Sequence, residues 1–167
     1  MNADGAGTST VGRDAYAYSL GYYQGDYNAI GGSGAPAFGR SYAAAPGDIT
    51  GKNLYNGNIS HSTYAIREIN SGQPAGYTYG YDQLNRLKRM RQHHIGPGTG
   101  NWNSQTLSPA YSEDFSYDAN GNIQTLDRMN GGGTVMDNLS YSYDTANGRN
   151  NRLTAVADAV GVWSCYL

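Results

Sequence analysis

Cysteine is almost absent. Cys165 stands alone, so no disulfide within the chain staples the fold. Phenylalanine occurs only twice, and Leu, Ile and Val are thinly spread, which excludes an interior built mainly from the usual apolar residues. Charged residues make up 14% of the chain and the formal net charge is −2. That balance argues against a nucleic-acid or acidic-membrane partner held by electrostatics alone. No run approaches the roughly 20 apolar residues of a membrane-spanning helix. The opening MNADGAGTSTVGRD has no apolar core after a basic stretch, so it does not read as a secretory signal.

Glycine and tyrosine fill the gap, with 24 and 16 copies in 167 residues. Disordered chains are typically poor in aromatics and rich in charge, and this chain is the reverse on both counts. The length suits one domain and is too short for two comfortable ones. The expectation is an ordered, β-rich chain in which tyrosine supplies most of the large buried surface. Such a chain depends on neighbours for part of its core.

One arrangement recurs. YTYGYDQLNRL (Tyr77–Leu87), FSYDANGNIQTL (Phe115–Leu126) and YSYDTANGRNNRLTAV (Tyr141–Val156) each carry an aromatic pair at i and i+2 that ends in Tyr-Asp. The pairs are Tyr79/Tyr81-Asp82, Phe115/Tyr117-Asp118 and Tyr141/Tyr143-Asp144. An Asn/Gly/Arg turn follows, including Gly121 and Gly148, and then an aliphatic residue: Leu87, Ile123 or Leu153. The third unit holds four extra residues in its turn, and LYNGNISHSTYAI copies the second half of the pattern without the Tyr-Asp.

Residues i and i+2 of a strand share a face, so Tyr77, Tyr79 and Tyr81 form a row. Asp at the strand end accepts backbone N–H groups in an Asx-turn, and Asn-Gly tolerates the positive φ of a tight reversal. Each unit therefore predicts a β-hairpin. LNRLKRMRQHH is the best helix candidate, with Leu84, Leu87 and Met90 at three-residue intervals, but it follows a repeat turn and a strand is preferred. The runs GGSGAPAFG, AAPGD, HHIGPGTGNWN and MNGGGTV read as returns between strands. DAYAYSLGYY reads as a further strand. The organisation expected is an upstream β-rich segment over 1–70, Tyr-Asp hairpins over 71–160 and a tail over 161–167.

These residues resemble the tyrosine–aspartate (YD) repeats of the Rhs family, and DAYAYSLGYYQGDYNAIGG with LYNGNIS resembles the segment preceding such repeats in long surface proteins of Bacteroidota. The repeats proper cover about half the chain, and with the upstream segment the likeness reaches most of it. The resemblance implies an all-β chain of antiparallel hairpin repeats, forming a curved sheet that is part of a spiral, hollow β-shell. It also implies an extracellular or cell-surface location and protein partners in a larger complex, an outer-membrane secretion or motility machine among them. The family's closing segment, rich in Asp-Pro, Gly and Arg-Tyr, is not read within this sequence, and no toxin domain is expected with GVWSCYL. The expectation is a fragment or truncated relative serving as shell or surface scaffold.

Site chemistry is sparse. D-A-N-G-N (Asp118–Asn122) half-matches a calcium loop, but Ile123 and Met129 stand where Gly and Glu belong, and a turn accounts for the same residues. His93 and His94 are adjacent, which on a strand sends them to opposite faces, and His61 is distant; a solvated loop before Gly96-Pro97-Gly98 is the simpler reading. PGDITGKN misses a phosphate loop, with Gly47 one residue too close to Gly51-Lys52 and Asn53 in place of Ser or Thr. No GxSxG elbow occurs, Cys165 sits at the extreme end, and Glu113-Asp114 read as a solvated edge. No enzyme, metal or cofactor is expected. The alternative to a scaffold is a carbohydrate-binding adhesin module, in which Trp102, flanked by Asn101 and Asn103, and Tyr77 contact a surface glycan. Against it stands the packing of repeat tyrosines as cross-strand pairs, each contributing roughly 0.2–1 kcal/mol.

Overall fold

The computed structural model describes residues 15–23, 26, 53–69, 75–94, 106–146, 151–161 and 164–166. They are all-β, with nine strands and no α-helix. In chain order these are β1 (Tyr16–Gly21), β2 (His61–Ile66), β3 (Ala75–Tyr81), β4 (Leu87–His94), β5 (Thr106–Tyr117), β6 (Ile123–Met129), β7 (Val135–Tyr143), β8 (Leu153–Asp158) and β9 (Ser164–Tyr166). The candidate helix LNRLKRMRQHH is strand β4, preceded by a turn that holds Leu84. No helix among the described residues is long and apolar enough to cross a membrane.

The chain divides into two compact units. One comprises the described residues up to Gly80 and those between Gln92 and Leu107; the other comprises Tyr81 to Arg91 and the described residues from Ser108 onward. In each unit the strand order follows the chain order. Every described ladder is antiparallel.

In the first unit, alternation sorts side chains onto two faces. Tyr18 lies opposite Tyr64, Leu20 opposite Ser62, and Ser62 opposite Tyr77, giving one face its aromatic character. The other face is close-packed through small polar groups. Ser19 Oγ and Thr63 Oγ1 share a hydrogen bond, and a Cβ added at Gly21 would overlap the His61 ring. His93 belongs to this packing. It is buried in β4 with Nε2 hydrogen-bonded to Thr78 Oγ1 at 2.8 Å, so the reading of His93 as a solvated loop residue is corrected. The ladder carries it inside because Thr78 offers a polar partner that an aliphatic neighbour could not.

In the second unit, Phe115 lies opposite Leu126 and Leu126 opposite Leu139, with Tyr117–Ile123, Tyr141–Val156 and Tyr143–Leu153 as further opposed pairs. Along β7 half-buried and exposed residues alternate strictly from Asp137 to Tyr143. Among the described residues the only buried hydrophobic is Ala110, at 6% exposure. With so few aliphatics, the apolar row stays half-covered. Glu113 and Asp114 do not lie at a sheet edge: Glu113 is opposite Arg128 within the β5–β6 ladder, and Arg91 Nη2 reaches both Asp114 oxygens at 2.8 Å, while the Asp114 side chain stays 45% exposed as a solvated carboxylate. Both contacts come from Arg91 Nη2, while Nη1 donates to the Glu113 carbonyl at 2.9 Å, so the guanidinium is fixed between β4 and β5.

Candidate functional site

The residues singled out by the repeat converge on one turn geometry. Asp82 N–H donates to the Arg86 carbonyl at 3.0 Å, and Asn85 N–H donates back to the Asp82 carbonyl at 3.1 Å. Asp118 does the same with Asn122 and Gly121, at 3.0 and 3.1 Å. Each carboxylate then caps its own turn: Asp82 Oδ1 accepts from Leu84 and Arg86 N–H, and Asp118 Oδ1 accepts from Asn122 N–H. The residue three after the aspartate has positive φ, 63° at Asn85 and 91° at Gly121. This is the three-residue loop with a left-handed third position that suits a twisted hairpin. In the third unit Asp144 N–H reaches the Arg152 carbonyl at 2.8 Å, so the reversal spans eight residues instead of four. Gly148 lies outside the described residues.

Beyond the Asp118 and Asp144 turns the register slips by one. Tyr117 is opposite Ile123 but Ser116 opposite Thr125, and Tyr143 is opposite Leu153 but Ser142 opposite Ala155. Gln124 and Thr154 are the extra residues of two equivalent β-bulges, which sharpen the local twist.

Successive turns are tied to one another by the same atoms. Tyr117 OH donates to the Leu87 carbonyl at 2.7 Å, and Tyr143 OH donates to the Ile123 carbonyl at 2.8 Å. In both cases the tyrosine before Asp reaches the first return residue of the preceding unit. Arg86, bonded to Asp82 at 2.6 Å, also donates to the Asp118 carbonyl at 3.1 Å and lies 4.6 Å from the Tyr117 ring centroid. Asn122 Nδ2 reaches Asn151 Oδ1 at 3.0 Å in the third turn. The repeated groups are thus spent within and between turns.

Ionisation follows this arrangement. Partial desolvation would raise Asp82, but hydrogen bonds from the Arg86 backbone and guanidinium and from Leu84 N–H outweigh it and hold the carboxyl below its usual value. The Asn122 side-chain amide, then surrounding backbone N–H groups, do the same for Asp118 against a smaller desolvation. Desolvation raises the Tyr117 and Tyr143 phenols, which keeps them protonated as donors.

The tyrosines of the first unit form a different cluster. Tyr79 OH bonds Ser62 Oγ at 2.8 Å. Tyr77, the candidate glycan contact, stacks on Tyr64 with ring centroids 5.6 Å apart, and its hydroxyl meets Tyr64 OH at 3.1 Å and Gln92 Nε2 at 3.2 Å. Tyr81, which ends β3 and belongs to the second unit, is half-buried. Trp102 lies outside the described residues.

The return read at MNGGGTV is a turn of the same kind, an equivalence that the repeat pattern did not announce. Asn130 repeats the Asp82 geometry: its N–H donates to the Thr134 carbonyl at 2.8 Å, Gly133 N–H donates to the Asn130 carbonyl at 2.9 Å, and Asn130 Oδ1 accepts from Gly132 and Thr134 N–H. Gly133 has φ 76°. The signal was present as an amide-bearing residue followed three later by glycine, but MNGGGTV lacks the Tyr-Asp that marked the others. Two residues of β5 cover this turn. Pro109 would meet a Cβ at Gly133 at 2.8 Å, and the Tyr111 hydroxyl occupies the space above Gly131. Tyr111 takes φ 53° to do so, a conformation that costs a bulky residue roughly 1–3 kcal/mol.

A scan of protein-family models matches no family, and a search of curated proteins finds no relative.

Proposed function

We propose that the chain is a non-catalytic structural segment of a secreted or cell-surface protein of the Rhs type, working inside a larger assembly as shell or scaffold. The observation that carries this reading is the turn-to-turn linkage. Tyr117-Asp118 and Tyr143-Asp144 each spend the carboxylate on their own turn and the phenol on the preceding unit. Groups committed in this way build an architecture and leave no chemistry for a substrate. Burial supports the same reading: Tyr16, Tyr18, Leu20, Val135, Met136 and Val160 are exposed, while Ala110 is the only buried hydrophobic described. Such surfaces are covered in an assembly, by more of the same repeat or by a partner.

Sedimentation of the purified chain tests this. Self-association, relieved when the chain is extended by its native neighbours, is expected; a sharp monomer with cooperative unfolding would sink the proposal. A second reading, the glycan-binding adhesin, draws on the exposed pair Tyr16 and Tyr18. Binding on a glycan array that is lost in Trp102→Ala would favour it over the scaffold.

A further inference from the structure

Of the stacked tyrosine pairs among the described residues, Tyr64 and Tyr77 alone join two strands with their hydroxyls in hydrogen-bond contact. Their rings are nearly parallel, 13° apart, with centroids 5.6 Å apart and oxygens 3.1 Å apart. Tyr16–Tyr18 and Tyr23–Tyr55 stack at steeper angles of 26° and 27°. In the β2–β3 ladder Ser62 is opposite Tyr77 and Tyr64 opposite Ala75, so the two tyrosines are diagonal neighbours on one face. Contact between hydroxyls brings the ring carbons beside them close together, which is the alignment that coupling at those carbons requires.

We infer that Tyr64 and Tyr77 form an oxidative cross-linking site that closes a dityrosine bond between β2 and β3 when a peroxidase-type one-electron oxidant acts with hydrogen peroxide. Each phenol gives up one electron and its hydroxyl proton. The two phenoxyl radicals couple through the ring carbons ortho to oxygen, forming one carbon–carbon bond. The hydrogens on those carbons then shift to the oxygens and restore both hydroxyls. The peroxide takes up the two electrons and two protons and leaves as two waters.

Two features favour this site over the other pairs. Gln92 Nε2 donates to Tyr77 OH at 3.2 Å and holds that ring in place, because Gln92 is itself buried. Tyr18, 65% exposed, lies directly opposite Tyr64 and stacks on Tyr16, 55% exposed, so a radical formed at the surface has adjacent tyrosines leading to the pair. With one cysteine, the chain has no disulfide of its own to lock these strands. A bond between residues 13 apart in sequence would restrict the unfolded chain as a disulfide loop does.

The test treats dilute full-length chain with peroxidase and hydrogen peroxide, then reads dityrosine fluorescence, intact mass and cross-linked peptides. The expected product is a monomer lighter by two hydrogens, its cross-linked peptides joining Tyr64 to Tyr77, with a raised unfolding temperature. Tyr64→Phe and Tyr77→Phe should each lose it, while Tyr23→Phe keeps it. The same oxidation in denaturant should scatter the bond among many tyrosines. A native product joining other tyrosines, only intermolecular product, or equal yield folded and denatured would overturn the inference.

Discussion

The two units solve the same problem by different means. The second repeats one solution: a capped turn, a bulge, and a tyrosine that reaches the unit before. The first uses contacts that occur once, such as His93 on Thr78, the His61 ring against Gly21 and the Tyr64–Tyr77 stack. Repetition spreads stability over equivalent bonds, so losing one should cost little beyond that bond. A singular contact has no counterpart, and its loss falls on the whole unit.

The largest effect should come from acidifying the first unit. Burial pushes His93 down to about 4 from an ordinary 6.5. The unfolded chain therefore takes up a proton that the folded chain refuses. Stability is full above 6.5, falls as the pH drops through that value, and has lost about 3 kcal/mol once it reaches about 4. Unfolding measured at neutral pH and just above pH 4 should show this loss in the wild type and a flatter profile in His93→Gln. Parallel profiles would show that His93 is not the group responsible. The turn carboxylates act in a separate window, because their values are held below 3.8 and their contribution is lost only as the pH falls further.

Next come two glycines of the second unit that share a positive φ but differ in surroundings. Gly121 has only Arg86 Nη1 nearby, at 3.8 Å from an added Cβ, whereas Gly133 faces Pro109 at 2.8 Å. Gly121→Ala should cost about 1 kcal/mol from backbone strain, and Gly133→Ala about 1 kcal/mol more from overpacking. Denaturant midpoints decide it, and equal shifts would mean that β5 yields freely over the Asn130 turn.

Tyr117→Phe and Tyr143→Phe each remove one hydroxyl-to-carbonyl bond and should each cost about 1 kcal/mol. Their thermal shifts should match within error if the two bonds are equivalent; a large difference would break the repeat description. The smallest effect is expected for Asp118→Asn, since Asn130 performs the same capping with an amide. Asp118→Ala, which removes the acceptor, should lower the midpoint visibly where Asp118→Asn does not.

Much of the second unit was legible in the sequence, because its information is local. Tyr at alternate positions, Asp at the strand end and Asn or Gly three residues later carry both face and turn chemistry within a dozen residues. The extra length of the third turn is visible as a count of residues between Asp144 and Arg152. Less legible was the Asn130 turn, where three glycines carry the backbone requirement but no aromatic pair announces it. Tyr111 was not legible at all. Its φ of 53° answers to the glycine turn it covers, nearly twenty residues further along the chain.

By itself, then, the sequence determined the class of structure and the place of its reversals, since period-2 aromatics and amide-glycine turns act through short-range sterics and hydrogen bonds. Only the tertiary structure decided where each hydroxyl and imidazole found its partner. Tyr117 reaches Leu87, His93 reaches Thr78 and Tyr64 meets Tyr77 because ladder register brings distant residues side by side. Register is a property of paired strands, and no single segment encodes it alone.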